Sequence, residues 1–232
     1  MAGLRTLFYP PHCAACGERL EPSVDSDLSL CKLCQAAILP PQEHHCPVCS
    51  HPMQGIFQCP NCEGQRWHLS VIVPGCRYEG GVRELIQRFK YGRDQSLMRP
   101  LGDLMLRAMS DSRLEGKKFD AIVPVPLHPL REREREFNQA SLLALRLSQH
   151  LHLSVLHSLR RTHATLPQAG FDRSHRLKNL DGAFALRRPV EEGASLLLVD
   201  DVTTTGTTLN ACASVLMEAG AGEVCAVTVA RG

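Results

Sequence analysis

The apolar positions of this chain change character near residue 69. Large apolar residues are few before that point; beyond it, strand-like and helix-like segments alternate. Residues 70–78 (SVIVPGCRY) predict a strand interrupted at Pro74-Gly75. Val82, Leu85, Ile86 and Phe89 then recur at helical spacing, with Arg83, Gln87, Arg88 and Lys90 on the other faces. A second helix is predicted over 97–109, a strand over 121–125 that breaks at Pro126, and an amphipathic helix opened by Phe137, Asn138 and Gln139 and ending near Leu151. Four consecutive apolar residues, Leu196 to Val199, suit a buried parallel strand. Leu209, Cys212, Val215, Leu216 and Ala219 carry the helix after it. This order predicts an α/β fold, a parallel sheet flanked by helices over 69–232, behind a small separate head over 1–68.

The end of the strand at 196–199 carries the densest chemistry. Asp200 and Asp201 follow it directly, then Thr203, Thr204, Thr205, Gly206, Thr207 and Thr208. In open α/β sheets ligands sit outside the carboxyl ends of strands, at the N-termini of the following helices. Backbone N–H groups at such a positive helix end can cradle a phosphate, and Gly206 permits close approach. Two carboxylates accept hydrogen bonds from a diol. The array suits a phosphorylated sugar; an acidic cap on an ordinary turn would account for one aspartate only. The run LLLVDD also fits a Walker B strand, but the chain has no G-x-x-x-x-G-K-[ST] loop, which excludes that reading.

Composition narrows the picture. A hydrophobic content of 44% with 22% charged residues is that of a soluble globular protein, and a net charge of +2 implies no global attraction to nucleic acid or membrane. Residues 1–68 hold four Lys/Arg against six Asp/Glu, while 69–232 hold 22 against 18, so the basic excess lies with the candidate phosphate site. No signal-peptide core or membrane-length apolar run is visible, and a cytoplasmic location is the default expectation. Paired cysteines in a reducing compartment suggest metal. Eight of the 11 form CxxC pairs: Cys13/Cys16, Cys31/Cys34, Cys46/Cys49 and Cys59/Cys62. Two such knuckles complete a tetrahedral Zn²⁺ site, so four pairs predict two structural zinc ions with no open coordination position. Sequential pairing is simplest, and an interleaved one stays open. Redox CxxC chemistry or an iron–sulfur cluster explains four evenly distributed pairs less simply. His12, His44, His45 and His51 are read as solvated or supporting groups, and Cys76, Cys212 and Cys225 as small buried apolar residues.

Between Pro126 and Gln139 the chain reads PLHPLREREREFNQ, with Arg131, Arg133 and Arg135 alternating with glutamates. Guanidinium groups after a parallel strand are well placed to grip pyrophosphate. By charge arithmetic alone, a self-neutralised Arg–Glu helix face is the better reading.

The segment LLLVDDVTTTGTTL (196–209) closely resembles the phosphoribosyl pyrophosphate (PRPP) signature of type I phosphoribosyltransferases. It follows RYEGGVRELIQRFKYGRD (77–94), VPVPLHPLREREREFNQA (123–140) and RTHATLPQAGFDRSHRLKNLDGAF (161–184), all behind a CxxC head. In this order the segments resemble the ComF/GntX family, phosphoribosyltransferase-like proteins associated with natural competence and use of external DNA, over essentially the whole chain. The resemblance implies a type I phosphoribosyltransferase-like sheet. It also implies that Asp200 and Asp201 hold the ribose, that Thr203 to Thr208 hold its 5′-phosphate, and that Mg²⁺ comes with PRPP. Arg131, Arg133 and Arg176 would neutralise the leaving pyrophosphate. Residues 160–179 would form a mobile catalytic loop, matched at Gln168, Arg173, Arg176 and Asn179. There is one departure. Where the family usually has Arg-Gly-Phe-Asn-Gln, Glu136 replaces the glycine, removing backbone freedom and adding a negative charge beside the arginines.

The first functional expectation is PRPP-dependent transfer of phosphoribosyl to an unidentified nitrogen nucleophile, in nucleotide metabolism linked to DNA uptake. The second is a non-catalytic PRPP- or nucleotide-sensing adaptor whose zinc head recruits proteins of DNA uptake or processing. Direct nucleic-acid binding has the weakest support: the head is acidic on balance, and seven Phe, three Tyr and one Trp leave few stacking surfaces beyond Trp67, Phe57 and His68.

Overall fold

The computed structural model describes residues 12–20, 29–55, 58–162 and 182–232. The strands are β1 (Val71–Arg77), β2 (Ala121–Pro124), β3 (Ser154–Val155), β4 (Leu159–Arg161), β5 (Phe184–Leu186), β6 (Ser195–Thr203) and β7 (Glu223–Arg231). Five of them form one sheet in the order β1-β7-β6-β2-β3, and every pairing in it is parallel. Strands β4 and β5 make a separate antiparallel pair. The helices are α1 (Lys32–Ala36), α2 (Gly80–Tyr91), α3 (Met98–Ala108), α4 (Pro129–Arg135), α5 (Gln139–Leu151) and α6 (Thr207–Glu218). No helix among the described residues is long and apolar enough to cross a membrane.

The central strands β6 and β7 are near-continuous apolar runs, as strands covered on both faces must be. The pleat sorts their side chains. Val71, Val73, Leu197, Val199 and Val227 pack with Phe89 of α2, Leu104 of α3 and Leu143 of α5. Ile72, Leu196, Leu198 and Ala226 face the other way, onto Leu209, Cys212 and Leu216 of α6.

The strand expected to break at Pro74-Gly75 runs through without interruption. Its position explains this: β1 is an edge strand, where a missing N–H is tolerated if it faces outward. Ile72, two residues earlier, sends its N–H outward to the Val48 carbonyl at 2.7 Å. Gly75 has a different reason to be there. A Cβ at this position would lie 2.2 Å from the Leu104 carbonyl oxygen, so α3 packs against bare backbone.

The cysteine-rich head closes the free edge of β1. Besides the Ile72–Val48 bond, Arg77 N–H donates to Leu39 O at 3.0 Å and the Ser50 hydroxyl donates to Ile72 O at 2.6 Å. The head also straddles this edge. Cys13, Leu20 and Leu30 join the core under α2 and α3, while Cys46, Cys49 and Cys59 join the core on the α6 side.

The close approach of α3 at Gly75 gives a direct test. Gly75→Ala should cost about 1–3 kcal/mol of stability, read as a lower urea midpoint with an unchanged slope, because the clashing atom is backbone and cannot rotate away.

Candidate functional site

The eight cysteines form two groups, Cys13/Cys16/Cys31/Cys34 and Cys46/Cys49/Cys59/Cys62, each with its sulfurs within 4.8 Å of one another. The pairing is therefore sequential. A tetrahedral zinc with Zn–S bonds of about 2.3 Å requires sulfurs about 3.8 Å apart. The separations are 3.8 Å for Cys16–Cys31, 3.6 Å for Cys46–Cys62 and 3.7 Å for Cys49–Cys59, so the donor sets fit structural zinc. Four thiolates around one Zn²⁺ carry a net charge of −2, and the second site has cations beside it. Arg231 Nη1 donates to Cys49 O at 2.5 Å, and Arg113 Nη1 donates to the Ser50 hydroxyl at 2.9 Å. Asp111 holds Arg113 in place through two contacts of 2.8 and 2.7 Å. The nearby histidines take supporting places: His51 Nδ1 lies 3.4 Å from Arg231 Nη2, and His45 Nδ1 lies 2.6 Å from Gln42 O.

The second centre lies at the carboxyl end of β6. The strand extends through both carboxylates to Thr203. Because successive strand residues point to opposite faces, Asp200 and Asp201 address different layers. Asp201 meets Lys90, the penultimate residue of α2, at 2.8 Å. Burial works against the Lys90 charge, but Asp201 and Asp200 outweigh it and hold the ammonium above the usual lysine value. Burial and the adjacent Asp201 charge push Asp200 up to about 7, against the pull of Lys90 and Arg161.

One cavity brings these groups together. Lys90, Arg131, Arg135, Asn138, Gln139, Arg161, Asp200, Asp201 and Thr208 line it. Four cations thus face two carboxylates, a balance that favours an anionic ligand. Arg131 and Arg135 are four apart on α4 and share its cavity side, whereas Arg133 is exposed and does not line the cavity. Arg176, Gln168, Arg173 and Asn179 lie outside the described residues. Asn138 ties the helix after the arginines to the strand before them: its amide donates to Val125 O at 3.0 Å and its oxygen caps α5 at Ala140 N, 2.9 Å away. Gln139 Nε2 is buried with no hydrogen-bond partner among the described residues, a donor left for something in the cavity. A larger groove lies in the head between Pro40, Pro41, His44, Met53 and Arg77, but it lacks this convergence of acids, cations and hydroxyls.

Beside the carboxylates, the threonine loop turns into α6 at Gly206, which has φ +77° and caps the helix. The first N–H groups of α6, from Thr207 to Leu209, have no intrahelical acceptor. Thr205 and Thr207 hydroxyls bond each other at 2.6 Å, Thr204 is exposed, and the buried Thr203 hydroxyl has no partner among the described residues.

Glu136 shows what the missing glycine was for. It ends α4 in the left-handed region at φ +68°, the conformation glycine enters without strain. Its carboxylate turns outward to Arg93, itself left-handed at φ +54°, so its charge does not enter the cavity.

Lys90 and Arg161 are cavity cations to which sequence reasoning gave no role, and Arg135 stood in the arginine run without being named for the leaving pyrophosphate. The helical period of 82–89 put Lys90 on a polar face, but nothing in the period said that this face meets the end of β6. For Arg135 the signal was present, since i and i+4 share a helix face.

A parallel sheet bearing paired aspartates and a threonine–glycine loop at its carboxyl edge, joined to two Cys₄ sites, defines an α/β protein with a zinc-binding head. Residues 4–63 match the family described as Double zinc ribbon domain. The chain is 33% identical over 225 residues to Competence protein F of Haemophilus influenzae, covering 94% of this chain and 95% of that one. It is 32% identical over 199 residues to the DNA utilization protein YhgH of Escherichia coli, covering 84% and 87%. The chain belongs to the ComF family, which these two relatives represent. A solved adenine phosphoribosyltransferase overlaps 61% of this chain and 74% of its own, at 17% identity and a TM-score of 0.38.

Two outcomes test the site's electrostatics and metal content. Asp200 titrates near 7 when folded against about 3.8 for an ordinary aspartate, so its protonated form favours the folded state and that contribution fades as pH rises through about 7. Asp200→Asn should therefore raise the melting temperature at pH 8, with the gain shrinking toward pH 4. Metal analysis should give two zinc ions per chain, falling to one in Cys16→Ser/Cys34→Ser.

Proposed function

We propose that the cavity binds PRPP with Mg²⁺ and transfers the phosphoribosyl group to a nitrogen nucleophile. The observation that carries this is the convergence of Asp200 and Asp201 with Lys90, Arg131, Arg135 and Arg161 beside the N-terminus of α6. The 5′-phosphate sits on the α6 amides and the threonine hydroxyls. The aspartates accept hydrogen bonds from the ribose hydroxyls and stabilise positive charge that develops at carbon 1 as the bond to pyrophosphate breaks. Lys90 pairs with Asp201 at 2.8 Å and so places a positive charge beside this acceptor. Arg131 and Arg135, on one side of α4, receive the negative charge of the leaving pyrophosphate. Mg²⁺ would supply further positive charge there, and it would need few protein ligands beside a substrate rich in phosphate oxygens.

Relatives named for competence and DNA utilization support an acceptor from the nucleotide chemistry that accompanies DNA uptake. One contact favours a second reading, ligand sensing without turnover, in which the head recruits DNA-processing proteins: Lys90 already fills one of the two ribose acceptors.

Calorimetric titration with PRPP and Mg²⁺ tests binding. The wild type should bind, and Asp200→Asn and Asp201→Asn should not. Well-folded wild type that gives no heat would overturn the proposal. Pyrophosphate release in a panel of nitrogen acceptors then separates transfer from sensing. Arg135→Ala should weaken binding by about tenfold or more, the loss of a charge-assisted hydrogen bond. Arg133→Ala should bind as the wild type does.

A further inference from the structure

The second zinc site is built into the threonine loop. Asn61, between the ligands Cys59 and Cys62, is 7% exposed. Its amide nitrogen donates to Cys49 Sγ at 3.3 Å and to Thr205 O at 2.8 Å. A single NH₂ group thus joins a zinc-ligating sulfur to the backbone of the loop proposed to hold phosphate.

The surrounding contacts run the same way. A Cβ on Gly206 would lie 2.6 Å from Ile72 Cδ1 and 3.0 Å from the Trp67 ring, so those two side chains form the floor under the loop. Ile72 is itself held by Val48 and Ser50 of the Cys46/Cys49 knuckle. Beyond the loop, Asn210 clasps the chain as it leaves the second site, accepting from His68 N–H at 2.7 Å and donating to Arg66 O at 2.8 Å. The first zinc site lies on the opposite face of the sheet, where Arg88 Nη1 donates to Ala14 O at 2.7 Å.

We propose that zinc held by Cys46, Cys49, Cys59 and Cys62 sets the conformation of the 203–208 loop through Asn61, so that ribose-phosphate affinity depends on this zinc and not on the other. Asn61 is a positioning residue: it touches neither substrate nor metal. A metal-bound thiolate is a fixed acceptor; without zinc the sulfur is a mobile thiol, the 59–62 turn loses its anchor, and the Asn61 bridge fails. The ligand half of the proposal rests on the PRPP reading above; the coupling of zinc to loop does not. Linkage makes the effect reciprocal, so the ligand must tighten this zinc by the factor by which the zinc tightens the ligand.

The test uses the zinc-loaded full chain, Asn61→Ala, and Cys16→Ser/Cys34→Ser, which empties the first site only. Three quantities are read: amide hydrogen exchange over 203–210, PRPP–Mg²⁺ affinity by calorimetry, and zinc release to a chromogenic chelator. Asn61→Ala should keep two zinc ions, exchange faster over 203–208 and bind PRPP about tenfold more weakly. PRPP–Mg²⁺ should slow release of one of the two ions from the wild type, and should do so less in Asn61→Ala. The first-site variant should keep wild-type loop exchange and affinity. Unchanged exchange over 203–208 in Asn61→Ala, or a loop that loosens equally when the first site is emptied, overturns the proposal. If the wild type fails to bind PRPP but the loop still loosens in Asn61→Ala, the coupling stands and the ribose-phosphate reading falls.

Discussion

Two carboxylates next to each other on a buried strand pose a charge problem that much of this molecule is arranged to solve. The pleat sends Asp200 and Asp201 to opposite faces of β6, so each has its own set of neighbours. Lys90 reaches Asp201 from the end of α2, and for that α2 must bury Val82, Leu85, Ile86 and Phe89 in register with the sheet. Asp200 keeps a raised pKa, with Arg161 of β4 among the groups that pull it down. An acid held in this way costs stability, and folded chains retain such strained groups chiefly at binding and catalytic sites.

The zinc head solves a different problem by related means. Its segments carry few large apolar residues, and two metal centres replace the core they cannot build. A tetrathiolate zinc introduces negative charge, however, and the second site sits in a buried environment. Arg113 and Arg231 supply the counter-charge, the first from the segment after α3 and the second from the end of β7. The body of the protein thus completes the electrostatics of the head, as the head completes the hydrogen bonding of the sheet edge.

The α/β alternation, the two Cys₄ sets and the acidic strand end could all be read from spacing, because each depends on local period or on a fixed ligand count. Features that depend on which surfaces meet could not. Pro74-Gly75 reads as a strand break until β1 is known to lie at the edge and α3 to cross at Gly75. Lys90 reads as a solvated polar residue until α2 is seen to end over β6. The arginine run is intermediate: alternation in sequence grouped Arg131, Arg133 and Arg135, and the resemblance singled out Arg131 and Arg133, whereas the helix that forms turns Arg131 and Arg135 to the cavity. Glu136 differs again, since its cost lies in a backbone angle that no composition or period reports.

The closed edge of β1 has a consequence for the life of the polypeptide before it is metallated. Strands β1 and β7 pair in parallel through residues far apart in sequence, so the sheet assembles through slow, non-local contacts. Until both ribbons have closed, the outward N–H and C=O groups of Ile72 and its neighbours are a ready template for another strand. Zinc binding, by closing the two ribbons, thereby also removes an open strand edge of the kind that favours edge-to-edge pairing between chains.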